Sequence, residues 1–295
     1  ILALVLCFCS VLVLMAGCAQ GGGGGIGTGG APGGGTASSD SYFEWEDEAT
    51  KEVVTGLSSE GMKQKNIVFP KSVKLVKFVI ISEALETVSF ANPDTELANM
   101  AFATCANLKT FLFPENITFI PDSVLAYCEA LEEIVIPDSV TTIGRDAFHG
   151  CISLKKVQFG SSLQEIGKSA FMNCDALEQV DIVSVTTLGE YCFRDCDLLE
   201  TIVLPEGLEE IEDGAFCENP SLKSVVLPQT LRIAGKGLLS FCLGVDRVDI
   251  PASLEQAEYK SFDTLNFTTI YGVKEGSWAD ENYGEITGDS AEERK

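Results

Sequence analysis

Cysteine has the widest chemical reach in this 295-residue sequence, and six of the eleven cysteines are evenly spaced. Cys105, Cys128, Cys151, Cys174, Cys196 and Cys242 form a column with a step of 23 residues, one interval of 22, and Asn219 in the slot before the last. Thiols in such an array could pair, ligate a metal or act as nucleophiles. Disulfides are open to an oxidising compartment, but side chains repeated at one slot stack side by side and do not face each other. Cys192, Cys196 and Cys217 lie close enough in sequence to suggest a metal. Yet Cys192 precedes Phe193 in a slot held elsewhere by Ala, which marks it as core. His149 is the only histidine. With no thiolate placed to receive its proton, a Cys–His pair is not expected, and it reads as an exposed turn residue. Asp and Glu number 44 against 20 Lys and Arg, but none is singled out by burial within the apolar pattern. General acid–base catalysis has no support. The expectation is a non-enzyme with no cofactor and no metal.

What positions the cysteines is a wider repeat. Leu85, Leu108, Leu131, Leu154, Leu177, Leu199, Leu222 and Val245 keep the same step. Self-similarity at 20 to 50 residues signals a stacked array, in which each unit buries its apolar face against its neighbours. One unit runs from Leu131 to Ile152. Ile134 and Ile136 alternate inward around Val135, the period of a strand. Pro137-Asp138-Ser139 turns the chain, and Val140 and Ile143 supply a second short extended segment. Ala147 and Phe148 begin a compact turn ending near Cys151, which the spacing predicts to be helical.

The recurring pattern, as in IPDSVTTIGRDAFHGCISL (Ile136 to Leu154), resembles the BspA-like leucine-rich repeat family of bacterial surface lipoproteins. The resemblance spans roughly residues 66 to 273 and ends in the segment Ile270 to Ser277. It implies a strand-rich α/β repeat solenoid, a right-handed leucine-rich repeat stack with a parallel sheet and short helical turns. It also implies export, surface exposure and adhesion to proteins of host or neighbouring cells.

Residues 1–17 are an apolar run leading to Cys18. Three readings compete. A membrane span needs about 20 apolar residues, and this run ends slightly short. A secretory signal accounts for Ala16 and Gly17 before a cleavage point. Leu14-Met15-Ala16-Gly17-Cys18 resembles the lipobox of bacterial lipoproteins, with Met15 in place of the usual aliphatic residue, and this resemblance implies lipidation at Cys18. The absent initiator Met and basic start read as a truncated front. Residues 19–39 are dominated by Gly and read as a tether, with a span of roughly 25 Å. A phosphate loop would require a preceding strand and a following helix, which the sequence lacks. The expected organisation is a signal peptide (1–17), a lipid-anchored Gly-rich linker (18–39), an N-terminal cap with a degenerate repeat (40–84), repeats (85–267), and a C-terminal cap with a disordered tail (268–295). In that last segment Ser277 and Asp280 suggest a short capped helix.

Residues 1–39 carry no Asp, Glu, Lys or Arg, so the net charge of −24 sits wholly on the rest of the chain. This disfavours nucleic acid and anionic lipid headgroups as partners. Across the strands, the first outward position runs Glu86, Lys109, Glu132, Lys155, Glu178, Glu200, Lys223, Asp246, placing mostly opposite charges on adjacent rungs. The third outward position holds two apolar pairs, Leu112 with Val135 and Val203 with Val226, the candidate protein contacts. The expected function is protein binding on the cell surface, with the membrane reached only through the lipid and no small-molecule substrate. A structural spacer without a dedicated ligand is the alternative.

Overall fold

A computed structural model describes residues 39–77, 81–258, 260–262, 269–271 and 281–282. The chain enters through β1 (Phe43–Trp45) and β2 (Val53–Leu57), an antiparallel pair. It then winds as a strand-rich β-solenoid of about nine turns. Each rung gives one strand to a long face: β3 (Asn66–Phe69), β5 (Thr87–Phe90), β7 (Thr110–Phe111), β9 (Glu133–Val135), β11 (Lys156–Gln158), β13 (Gln179–Asp181), β15 (Thr201–Val203), β17 (Ser224–Val226), β19 (Arg247–Asp249) and β21 (Thr269–Tyr271). Two-residue strands form the second face: β4 (Leu75–Val76), β6 (Glu96–Leu97), β8 (Phe119–Ile120), β10 (Thr142–Ile143), β12 (Glu165–Ile166), β14 (Thr187–Leu188), β16 (Glu210–Ile211), β18 (Ile233–Ala234) and β20 (Gln256–Ala257). All pairs beyond β1–β2 are parallel and keep equivalent residues opposite each other, as Val157 opposite Ile134 and Ile202 opposite Val180.

Period-two alternation follows from the strand pleat. In β9, β13, β15, β17 and β19 the central residue is buried and its neighbours are exposed. Because rungs lie ~4.8 Å apart, identical buried side chains stack directly. Phe148, Phe171, Phe193 and Phe216 make such a column, with ring centroids 4.9, 5.2 and 6.1 Å apart. A glycine shapes the corner after the second strand: a Cβ at Gly235 would lie 2.4 Å from the backbone N of Asp213. The preceding rung passes too close there for a side chain.

The third side corrects the expected helical turn. Two residues per rung hold φ near +60°, among them Ser123 and Tyr127, Asp146 and Gly150, Ser169 and Asn173, Tyr191 and Asp195, and Gly214 and Glu218. A left-handed residue cannot continue a right-handed helix. Instead it turns alternate N–H groups along the stack. Asp146, Phe148 and Gly150 donate to the carbonyls of Lys168, Ala170 and Met172 on the next rung, at 2.8–2.9 Å. Between them, His149 and Cys151 donate back to Asp146 and Phe148 within the rung. The described helix is confined to single 3₁₀ turns at Ser39–Tyr42 and Gly61–Lys63 and one helical position at residue 281, so the α/β assignment gives way to a β-solenoid.

This third side is also the most continuous. The same pattern of donors runs from Met100 to Asp122 through to Leu239 and Ser261. The faces are divided: the long one into β3-β5-β7, β9-β11 and β13 through β21, the second into β1-β2-β4-β6 and β8 through β20.

Candidate functional site

The cysteine column lies in the core against this third side. Each thiol donates to the carbonyl of the Phe-slot residue one rung back: Cys128 to Phe102 (3.4 Å), Cys151 to Leu125 (3.3 Å), Cys174 to Phe148 (3.4 Å), Cys196 to Phe171 (3.3 Å) and Cys242 to Phe216 (2.9 Å). Asn219 does the same with its amide. Its Nδ2 donates to Phe193 (2.8 Å) and Phe216 (2.7 Å), and its Oδ1 accepts from the backbone N–H of Cys196 (2.8 Å). The slot therefore selects a small donor able to reach back one rung. The eight described cysteines are buried and none is in a disulfide. Burial pushes the thiols up, Cys105 to about 11 and Cys151, Cys196 and Cys242 to about 12, so they stay protonated and weakly nucleophilic at neutral pH.

His149 is not the exposed residue expected. Its ring lies 5.1 Å from that of Tyr127, with Nδ1 3.3 Å from Asp146 and Nε2 3.5 Å from the Tyr127 hydroxyl. The histidine fills a gap between rungs. Among the described residues, no three His, Cys, Asp or Glu side chains are arranged to hold a metal. On the second face an acidic groove of about 330 Å³ is lined by Glu190, Glu210, Glu212, Asp213 and Glu258. Two of these carboxylates serve the stack: Glu212 accepts from the N–H of Glu190 and Asp213 from that of Lys236.

The long face brings the remaining candidates together. Its charged column forms ion pairs between rungs: Glu86 with both Lys65 (2.6 Å) and Lys109 (3.0 Å), Glu132 with Lys155 (2.9 Å), Glu200 with Lys223 (2.7 Å). Bonds from Lys65 and Lys109 hold the Glu86 carboxyl below its usual range, and Lys155 does the same for Glu132. These pairs are solvated, so they bias register more than they add stability. No ion pair among the described residues joins Lys109 to Glu132 or Lys155 to Glu178, and those are the two steps at which the backbone ladder of this face is interrupted.

Leu112, Val135, Val203 and Val226 are 55%, 53%, 50% and 70% exposed. Val203 and Val226 stand directly opposite each other on β15 and β17, flanked in register by Asp181 and Asp249. Leu112 and Val135 do not pair in this way. They line a cleft of about 500 Å³ where β7 and β9 part, together with Phe111 and Phe113. Phe113 occupies the slot held by Ile136 one rung on, and its ring reaches edge-on to Phe148, 6.5 Å away. The cleft was not legible as a site from the repeat, because the slot of Phe113 also holds Phe69, Phe90 and Phe159 and so does not mark it. Cys18 and the positions from 272 to 280 lie outside the described residues.

The pattern for the BspA type leucine rich repeat region matches in six copies, over residues 59–178, 118–245 and 164–275. The chain belongs to this family. No curated protein sequence matches it. Among solved structures, it is similar to a leucine-rich repeat protein of T. pallidum at 26% identity and a TM-score of 0.51, over 69% of this chain and 88% of that one. A leucine-rich repeat protein from Bacteroides ovatus matches at 18% identity and a TM-score of 0.48, covering 74% of this chain and 76% of its own. A leucine rich cell surface protein from Faecalibacterium prausnitzii matches at 16% and 0.42, covering 89% and 99%. This BspA-type chain thus belongs with leucine-rich repeat proteins, whose repeats generally mediate protein interaction and whose fold is typically non-enzymatic.

The ladder slot makes a stability prediction. Asn219→Ala removes three buried hydrogen bonds and should destabilise the fold by about 3 kcal/mol, whereas Cys174→Ala, which removes one thiol bond, should cost about 1 kcal/mol. Urea unfolding of the two variants checks the order; equal losses would show that the slot selects for size alone.

Proposed function

We propose that this chain is a lipid-anchored protein of the bacterial envelope that binds proteins of host or neighbouring cells through its long sheet face. The observation that carries the reading is the row of exposed apolar side chains on that face, with Val203 and Val226 in register and Leu112 and Val135 beside the cleft. Exposed apolar patches rimmed by polar groups mark interaction surfaces. Membership of a surface-protein family supports the placement. The lipobox-like segment ending in Cys18 supports the anchor, and the Gly-rich stretch 18–39 would hold the repeats clear of the lipid. In this reading residues 40–84 begin the stack as a cap and 85–267 carry the recognition surface. No catalytic residue, cofactor, metal or nucleic acid enters it.

Immobilised full chain should capture host or neighbouring-cell surface protein saturably, and Val226→Lys or Leu112→Lys should weaken capture tenfold or more with the fold intact. A buried hot-spot side chain is worth about 2 kcal/mol or more, which sets that scale. The absence of any saturable binder would leave a spacer. Metabolic labelling with a palmitate analogue should mark the chain and not its Cys18→Ser variant; equal labelling would remove the anchor from this account.

A further inference from the structure

Three features coincide where the long face opens between β7 and β9. The floor is apolar: Phe111 is buried, Phe113 is partly so, and their rings meet edge-on at 4.9 Å. The backbone bordering it is unpaired, as it is at one other described step of this face, between β11 and β13. Thr110 and Leu112 donate to Glu86 (3.1 Å) and Val88 (2.9 Å) on the rung before them, but the ladder that joins β5 to β7 is not continued to β9. Strand N–H and C=O groups that the ladder uses elsewhere are therefore left facing the gap. The charges are also turned aside. Lys109 points to Glu86 and Glu132 to Lys155, while the exposed Glu133 on the β9 lip is in no ion pair among the described residues.

We propose that this cleft is a recognition pocket for one aromatic or branched aliphatic side chain of a polypeptide ligand, seated beside a Lys or Arg that pairs with Glu133. The proposal deepens the reading of the long face as protein-binding and rests on it. An aromatic anchor gains most from a desolvated apolar floor. Free strand groups along the lips complement the amide groups on either side of that anchor, the logic by which sheet edges receive peptides. An acidic chain of net charge −24 with an unclaimed carboxylate at the lip favours a cationic neighbour.

The test uses the full chain in lipid nanodiscs and fluorescence anisotropy of labelled hexapeptides. Gly-Gly-Phe-Arg-Gly-Gly should bind saturably, and the forms with Ala for Phe or Glu for Arg at least tenfold more weakly. Glu133→Lys should reverse the charge preference, and Glu165→Lys, on the second face, should leave peptide binding unchanged. Equal binding of the three peptides, no binding, or an unaltered preference in Glu133→Lys overturns the pocket. If capture of cell-surface protein persists while the peptides fail, the pocket alone falls; if both fail, the reading of the face falls with it.

Discussion

The structure depends on one alternation of backbone direction. In each rung of the third side, two residues in the left-handed region aim every second N–H at the next rung, and the residues between them close the turn locally. A helix would satisfy its own donors and stop there. This turn spends its donors between rungs and so makes the stack a continuous object. The left-handed conformation costs roughly 1–2 kcal/mol for a residue with a side chain, and most of these positions are not glycine, as Tyr127, Asn173 and Glu218 show. The cost is offset by the cooperative gain of a ladder in which each rung templates the next. The cysteine column belongs to the same device, since its thiols and the Asn219 amide bond back to the carbonyls of that side.

With the third side continuous, the long face is released from holding the molecule together. It can be divided without the stack coming apart, and its divisions fall at particular places: one between β7 and β9, beside Phe113, another next to the rung that is one residue short. The ion pairs of the charged column, Glu86 with Lys109, Glu132 with Lys155 and Glu200 with Lys223, all lie within the paired stretches of the face. The proposed binding surface lies where the long face departs from its own pattern of pairing.

Much of this was legible in the sequence because burial and spacing share one period. The Leu and Cys columns, the inward Ile134, the pair Val140 and Ile143, and the alternating Glu and Lys all follow from a 23-residue step with two-residue alternation, and the structure places them accordingly. The turn after Phe148 was misread as helical because Ala-Phe-His reads as a compact turn on local propensity, whereas the φ signs are imposed by the neighbouring rungs. His149 was misread for a similar reason: its stacking on Tyr127 is a contact between rungs. The register that sets Val203 opposite Val226 is not continued from Leu112 to Val135, which line one cleft instead. A period records which slot a residue fills and not whether neighbouring rungs pair there: Phe69 and Phe90 share the slot of Phe113 and lie on paired strands.

Amide hydrogen exchange tests the central claim most directly, because it reads each donor separately. The third-side amides of Leu125, Phe148, Phe171 and Phe193 should exchange slowest, those of Thr110 and Leu112 should also be protected, and those of Glu133 and Val135 should exchange fast in the intact fold. Uniform protection along the long face, or a third side that exchanges before the sheets do, would contradict the account.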